Sequence, residues 1–149
     1  PLSVIVLLRQ NALNKFFNSK AKELNKVLEP KHREYELKEL KLVTETKQGK
    51  LNLNIRSFIF AKAADNYTEI HHFEEKLKKE VVRISLKSFE EQAINIKNLV
   101  RCHRSFLVNL EWVESFKGNA QGLQLYLRDM ELTVPVSRKY VEGLKKQLG

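Results

Sequence analysis

Apolar and polar positions in this chain follow two rhythms, and the change from one to the other divides it. From about Val4 to Leu28 the apolar residues Leu13, Phe17, Ala21, Leu24 and Leu28 recur at intervals of four and three, opposite a face of Asn, Lys and Glu. That spacing lays one stripe along a helix, and Pro30, which has no N–H to donate, stops it. Lys20 interrupts the seam, so the pattern predicts a linker helix better than it predicts a coiled coil. The charge-dominated residues 31–39 predict a solvated hinge.

Beyond the hinge the period drops to two. Leu40 and Leu42, then Leu51, Leu53 and Ile55, alternate on either side of a Gly-containing turn, Lys47 to Lys50, and predict a hairpin. A second hairpin follows: the apolar run Phe58 to Ala64, the turn formers Asp65 and Asn66, and a strand from Tyr67 to Phe73. Val81 to Ile84 is rich in β-formers, and Ser85 caps a short helix with Leu86 and Phe89 inward and Glu90 and Glu91 outward. Leu99 to Asn109 reads as one strand entered through charged residues. Gly118 and Gly122 flank the turn of a third hairpin, Leu123, Leu125 and Leu127 alternate, and Leu132, Val134 and Val136 return after a turn at Arg128 to Glu131. Pro135 belongs at a sheet edge or strand end, because it cannot donate to a ladder. Ser137 opens a final helix with Tyr140, Leu144 and Leu148 inward and Lys139, Lys145 and Lys146 outward. The expected fold is mainly β with short helices, built of antiparallel hairpins over residues 37–149, with the linker helix in residues 1–36 ahead of it.

Charge narrows the partners. The net charge is +9, and both parts share it: seven basic against four acidic residues up to position 36, and twenty against fourteen after it. This balance permits binding to nucleic acid or to an anionic membrane surface without requiring either. The single cysteine, Cys102, rules out an internal disulfide and fits a reducing compartment. Proline at position 1 and a sole methionine at Met130 lead us to expect a piece of a longer chain whose input module lies upstream. Pro1 to Leu8 is apolar yet far short of the ~20 residues that span a bilayer. It reads either as the end of a membrane segment, with the basic residues that follow on the cytoplasmic side, or as the start of the linker helix. The expected location is the cytoplasm, free or tethered to the inner face of the membrane.

Chemistry concentrates in LVRCHRSFLVN, residues 99–109. A thiolate beside an imidazolium is a nucleophile, but Cys102 and His103 are neighbours in an extended segment and point to opposite faces, which argues against a catalytic dyad. His71 and His72 fail as a metal pair for the same reason, there is no glycine-rich phosphate loop, and neither a catalytic nor a metal site is expected. His103 reads as a hydrogen-bonded support at the strand entry, and Arg101 as the partner of Glu90 or Glu91. Arg104, with nothing acidic near it in sequence, suits a bidentate contact to guanine or phosphate.

Five segments together resemble the LytTR DNA-binding domain, the output module of LytR- and AgrA-type bacterial response regulators. They are ADNYTEI (64–70), ISLKSFEEQ (84–92), VRCHRSFLVNL (100–110), FKGNAQGLQLYL (116–127) and VPVSRKYVEGLKK (134–146). The resemblance covers roughly residues 37–149. It implies a mostly antiparallel β fold that lays loops, not a recognition helix, into successive major grooves of promoter DNA, often at paired direct repeats. By position it implies DNA contacts at Asn66, Tyr67 and Thr68, at Arg104, and at Arg138 with Lys139 against phosphate. Lys62, Lys97 and Lys145 are expected to add phosphate contacts. Some members carry asparagine where Arg104 stands here, which implies a different preferred base. No cofactor and no small-molecule substrate are implied, whereas a homodimer or tandem binding on repeats is. The competing reading is a protein-interaction or dimerisation module whose arginines meet acidic residues of a partner.

Overall fold

The computed structural model describes residues 2–27, 39–45, 49–120 and 122–148. Helix α1 is Leu2–Val27; the strands are β1 Glu39–Val43, β2 Lys50–Asn54, β3 Phe58–Ala64, β4 Tyr67–Glu74, β5 Lys76–Val82, β6 Leu99–His103, β7 Phe106–Asn109, β8 Val113–Asn119, β9 Gly122–Leu127 and β10 Thr133–Val136. Helix α2, Leu86–Gln92, follows β5, and α3, Val141–Leu148, ends the chain after a 3-10 turn at Arg138–Tyr140. All pairings among the described residues are antiparallel. The mainly β expectation is met. Leu28, Pro30 and residues 31–38 of the expected hinge lie outside the described residues, as do positions 46–48 of the first turn, while Glu39, expected to end the hinge, begins β1.

The chain forms two compact units. One holds the described residues from Glu39 to Glu111. Its five-stranded sheet has the order β5-β4-β3-β7-β6, and β1 and β2 form a separate hairpin. Leu42, Leu53, Ile55, Phe58, Ile70, Phe89 and Leu107 share one buried cluster, with Phe58 and Phe89 at 5.5 Å between ring centroids. Burying each such side chain is worth about 1.5–3 kcal/mol, so this cluster fixes which sheet face turns inward. Ser85 caps α2 by accepting the Ser88 N–H at 3.1 Å, as its position before the apolar face predicts.

Two expectations change in this unit. The segment 99–109 is not one strand but a hairpin: β6 and β7 pair antiparallel around a turn at Arg104 and Ser105, with a bulge between Arg101 and His103. The strict alternation of faces across that segment is thereby lost. In addition, β5 occupies Lys76–Val82, where only its last residues read as strand. It is an edge strand, exposed over nearly its whole length, so no buried face imposes an apolar period on KLKKE.

The other unit combines α1 with the described residues from Trp112 onward. Its sheet has the order β10-β9-β8, which puts Pro135 on an edge strand, where its missing N–H costs no ladder bond. Phe17, Ala21 and Leu24 of the predicted stripe are buried, together with Phe116, Leu123, Leu125 and Leu127 of the sheet and Val141, Leu144 and Leu148 of α3. Expected as a linker standing ahead of the domain, α1 instead packs on β8, β9 and α3.

Two devices hold α1 there. A Cβ added to Gly118 would lie 2.1 Å from the Phe17 carbonyl oxygen, so only glycine lets helix and strand approach this closely. The Asn25 amide also completes the ladder of edge strand β8: its Nδ2 donates to the Phe116 carbonyl at 3.0 Å and its Oδ1 accepts the Phe116 N–H at 2.8 Å. Gln92 of α2 treats Val43 of β1 in the same way, at 2.7 and 3.1 Å. Each helix thus satisfies a backbone pair that an edge would leave to solvent.

Candidate nucleic-acid interface

Two tight turns lie side by side at one end of the five-stranded sheet. The first joins β3 to β4 through Asp65 and Asn66, and Asp65 takes a left-handed conformation at φ 54°, which aspartate tolerates. The second carries Arg104 and Ser105 between β6 and β7. Because β7 pairs with β3 at Lys62 and Phe106, and the Ala63 N–H donates to the Ser105 carbonyl at 2.9 Å, the second turn abuts the first. Adjacent strands sit about 5 Å apart, so the two tips present one continuous edge.

On that edge Asn66 and Tyr67 are exposed, with Tyr67 at 45 %. Thr68 is not. It is fully buried, and its hydroxyl donates to the Ile84 carbonyl at 2.6 Å. The expected DNA contact at Thr68 is therefore corrected to an internal one, since β4 alternates and turns this position to the core. Thr68 ties the hairpin to the segment leading into α2.

Arg101 accounts for the rigidity of the second turn. One guanidinium arm donates to Glu90 at 2.7 Å, Nε donates to the His103 carbonyl at 2.9 Å, and the other arm donates to the Arg104 carbonyl. The ion pair with Glu90 agrees with the reading of Arg101 as an internal partner. The two carbonyl bonds go further, because they fix the backbone that carries Arg104. His103 adds a third tie by accepting the Ser105 N–H on Nδ1 at 3.1 Å. Partial burial, then the charges of Arg104 and Arg101, push its pKa down and so favour the neutral ring, in which a nitrogen can accept. The Arg104 side chain is exposed, with no protein partner among the described residues.

Cys102 is buried beneath this turn, with its thiol directed at the Phe106 carbonyl at 3.8 Å. Burial pushes its pKa up to about 12, far from the range of a reactive thiolate. Among the described residues, no group of three or more His, Cys, Asp or Glu could hold a metal ion. No described helix is long and apolar enough to cross a membrane.

The remaining expected contacts divide between the units: Lys62 and Lys97 belong to the unit that carries the two turns, and Arg138, Lys139 and Lys145 to the other. Arg138 and Lys139 are exposed in the 3-10 turn before α3. The Arg138 guanidinium carbon is 4.9 Å from the Phe16 ring centroid and 5.5 Å from that of Phe17. Lys62 and Lys97 are exposed, and Lys62 lies over the Phe106 ring. Lys145, in contrast, ion-pairs with Glu23 of α1, and that bond pushes its pKa up. It holds α1 to α3, so its charge is already matched within the protein.

Sequence reasoning missed two kinds of residue here. The carbonyl bonds of Arg101 have no signature in residue type. Phe16 gave no signal because it lies beside the apolar stripe of α1, not on it.

Among the described residues the scaffold is all-antiparallel, with basic side chains exposed on turns at strand ends. The comparisons identify its family. Residues 48–149 match the family described as the LytTr DNA-binding domain, and the chain belongs to that family. The fold also matches the LytTr DNA-binding domain of a methyl-accepting/DNA response regulator from Bacillus cereus, with TM-score 0.58 and 25% identity over 74% of this chain and 97% of that one. Among the relatives, an uncharacterized response regulatory protein of Vibrio cholerae is 40% identical over 67 residues, 45% of this chain and 27% of that protein. The transcriptional regulatory protein BtsR of Salmonella typhi is 46% identical over 52 residues, 34% of this chain and 21% of that protein. The matched stretch thus spans about a quarter or less of these regulators.

Proposed function

We propose that this chain is the sequence-specific DNA-binding output of a bacterial transcription regulator, working in the cytoplasm and reading the major groove with loops. The observation that carries the reading is the exposed Arg104 guanidinium on a turn whose backbone Arg101 and His103 hold fixed, next to the exposed Asn66 and Tyr67 tip. The guanidinium carried on this fixed backbone offers two parallel donors, which match O6 and N7 of guanine. Asn66 suits a bidentate contact to adenine. Arg138 reads a further base, while Lys139, Lys62 and Lys97 neutralise phosphates and supply the salt-dependent part of the affinity.

Selection of sites from random duplexes supplies the target and shows whether two copies occupy direct repeats. On that target, Arg104→Ala should cost roughly 1–3 kcal/mol and relax discrimination at one base pair. Lys139→Ala should weaken target and scrambled duplexes about alike and flatten the dependence on salt. Gel-shift titration of the two variants checks this. If discrimination survives in Arg104→Ala, the assignment of the reader fails.

A further inference from the structure

Arg138 is exposed, yet its guanidinium does not hang free. Phe16 and Phe17 are consecutive residues of α1 whose rings meet edge to face, 5.2 Å between centroids and 79° between planes, and together they form a corner. The Arg138 guanidinium lies in it, near both rings. Lys20 also approaches the Phe16 ring, at 5.7 Å, but is turned toward carboxylates as well, Glu142 at 3.5 Å and Glu23 at 3.7 Å. The corner cannot drift, because the Phe17 backbone rests against Gly118 and Asn25 clasps Phe116.

We propose that Phe16, backed by Phe17, is a positioning residue for DNA recognition: a platform that holds the Arg138 guanidinium ready for its base. This rests on the reading of Arg138 as a DNA contact and adds what orients it. A guanidinium lying over an aromatic ring is attracted by the ring face, and its N–H donors remain free in its own plane. Bidentate contact with a base edge is made in that same plane, so platform and base can be engaged together. An unrestrained arginine must give up rotamer freedom on binding; one already seated on a ring has given up most of it. The platform belongs to α1, ahead of the matched region that begins at residue 48. Whatever displaces α1 therefore withdraws the support of a reading residue without touching the DNA-binding loops.

The test compares Phe16→Leu, Phe16→Tyr, Arg138→Ala and the double variant Phe16→Leu/Arg138→Ala in the full chain, by fluorescence anisotropy on the selected duplex and its single-base variants. Phe16→Leu keeps apolar bulk and removes the ring, and Phe16→Met repeats the test should leucine disturb folding. The expected result is a loss of target affinity of about two- to tenfold in Phe16→Leu. Phe16→Tyr should bind as the unaltered chain does, and the double variant should bind no worse than Arg138→Ala. Unchanged affinity in Phe16→Leu, with Arg138→Ala still damaging, overturns the platform alone. Tighter binding in Phe16→Leu overturns it as well, because the rings would then be holding Arg138 away from DNA. Intact discrimination in Arg138→Ala overturns the base-reading role of Arg138 and the platform with it.

Discussion

At the scale of single residues, the Arg104 turn depends on one nitrogen staying unprotonated. His103 Nδ1 accepts the Ser105 N–H, and burial with the charges of Arg104 and Arg101 holds its pKa below the ordinary value of about 6.5. The unfolded chain then binds the proton more readily than the folded one. The contribution is fully present above the unfolded value and is lost as pH falls from there through the lower folded value. Urea midpoints should therefore drop between pH 7 and 5, and the drop should shrink in His103→Asn, whose side-chain oxygen can accept the same N–H in an Asx turn. Some dependence should persist, since burial also pushes the pKa of His71 down. The basic character of this cluster was legible in the sequence, and so was the pairing of Arg101 with an acidic residue of α2. The turn itself was not. Arg104 and Ser105 carry no glycine, proline or asparagine, and the apolar residues on either side let two short strands pass for one. Thr68 escaped for a different reason: a buried threonine bonded to a backbone carbonyl looks in sequence like one on the surface.

At the scale of elements, legibility followed burial. The hairpins closed by Asp65, by Gly118 to Gly122 and by Asp129 were visible because turn chemistry and a half-buried period coincide there. Helix α2 was visible through its cap. Strand β5 was hidden because an exposed edge needs neither signal. The destination of α1 was hidden too: its stripe announced a buried face without naming what covers it. Gly118 supplies the check. Gly118→Ala forces a methyl into the Phe17 backbone and should cost on the order of 1–3 kcal/mol. Gly143→Ala, in α3 with open space around it, should instead stabilise by roughly 0.5–1 kcal/mol through helix propensity. Denaturant midpoints of the two variants should move in opposite directions. Equal shifts would mean that α1 does not approach β8 this closely.

At the scale of the whole molecule, the family match and the folded units have different limits. The match starts at residue 48, whereas β2 is paired by β1, from Glu39, and β8 is clasped by α1. A chain trimmed to 48–149 leaves two edges open and uncovers apolar residues that Phe17, Ala21 and Leu24 shield. It should melt at lower temperature than the full chain and associate as concentration rises, with scanning calorimetry and light scattering as the measurements.

One buried atom has a practical consequence of another kind. The only thiol of the chain lies under the Arg104 turn, sealed from solvent and protonated at any ordinary pH. To thiol-directed dyes and spin labels the native protein is therefore blank. A cysteine placed at Asn66 or Lys139 would be the one reactive site, so distances from either tip to a labelled duplex can be measured without first stripping a native cysteine. When Cys102 does begin to react, the hairpin of β6 and β7 has come open.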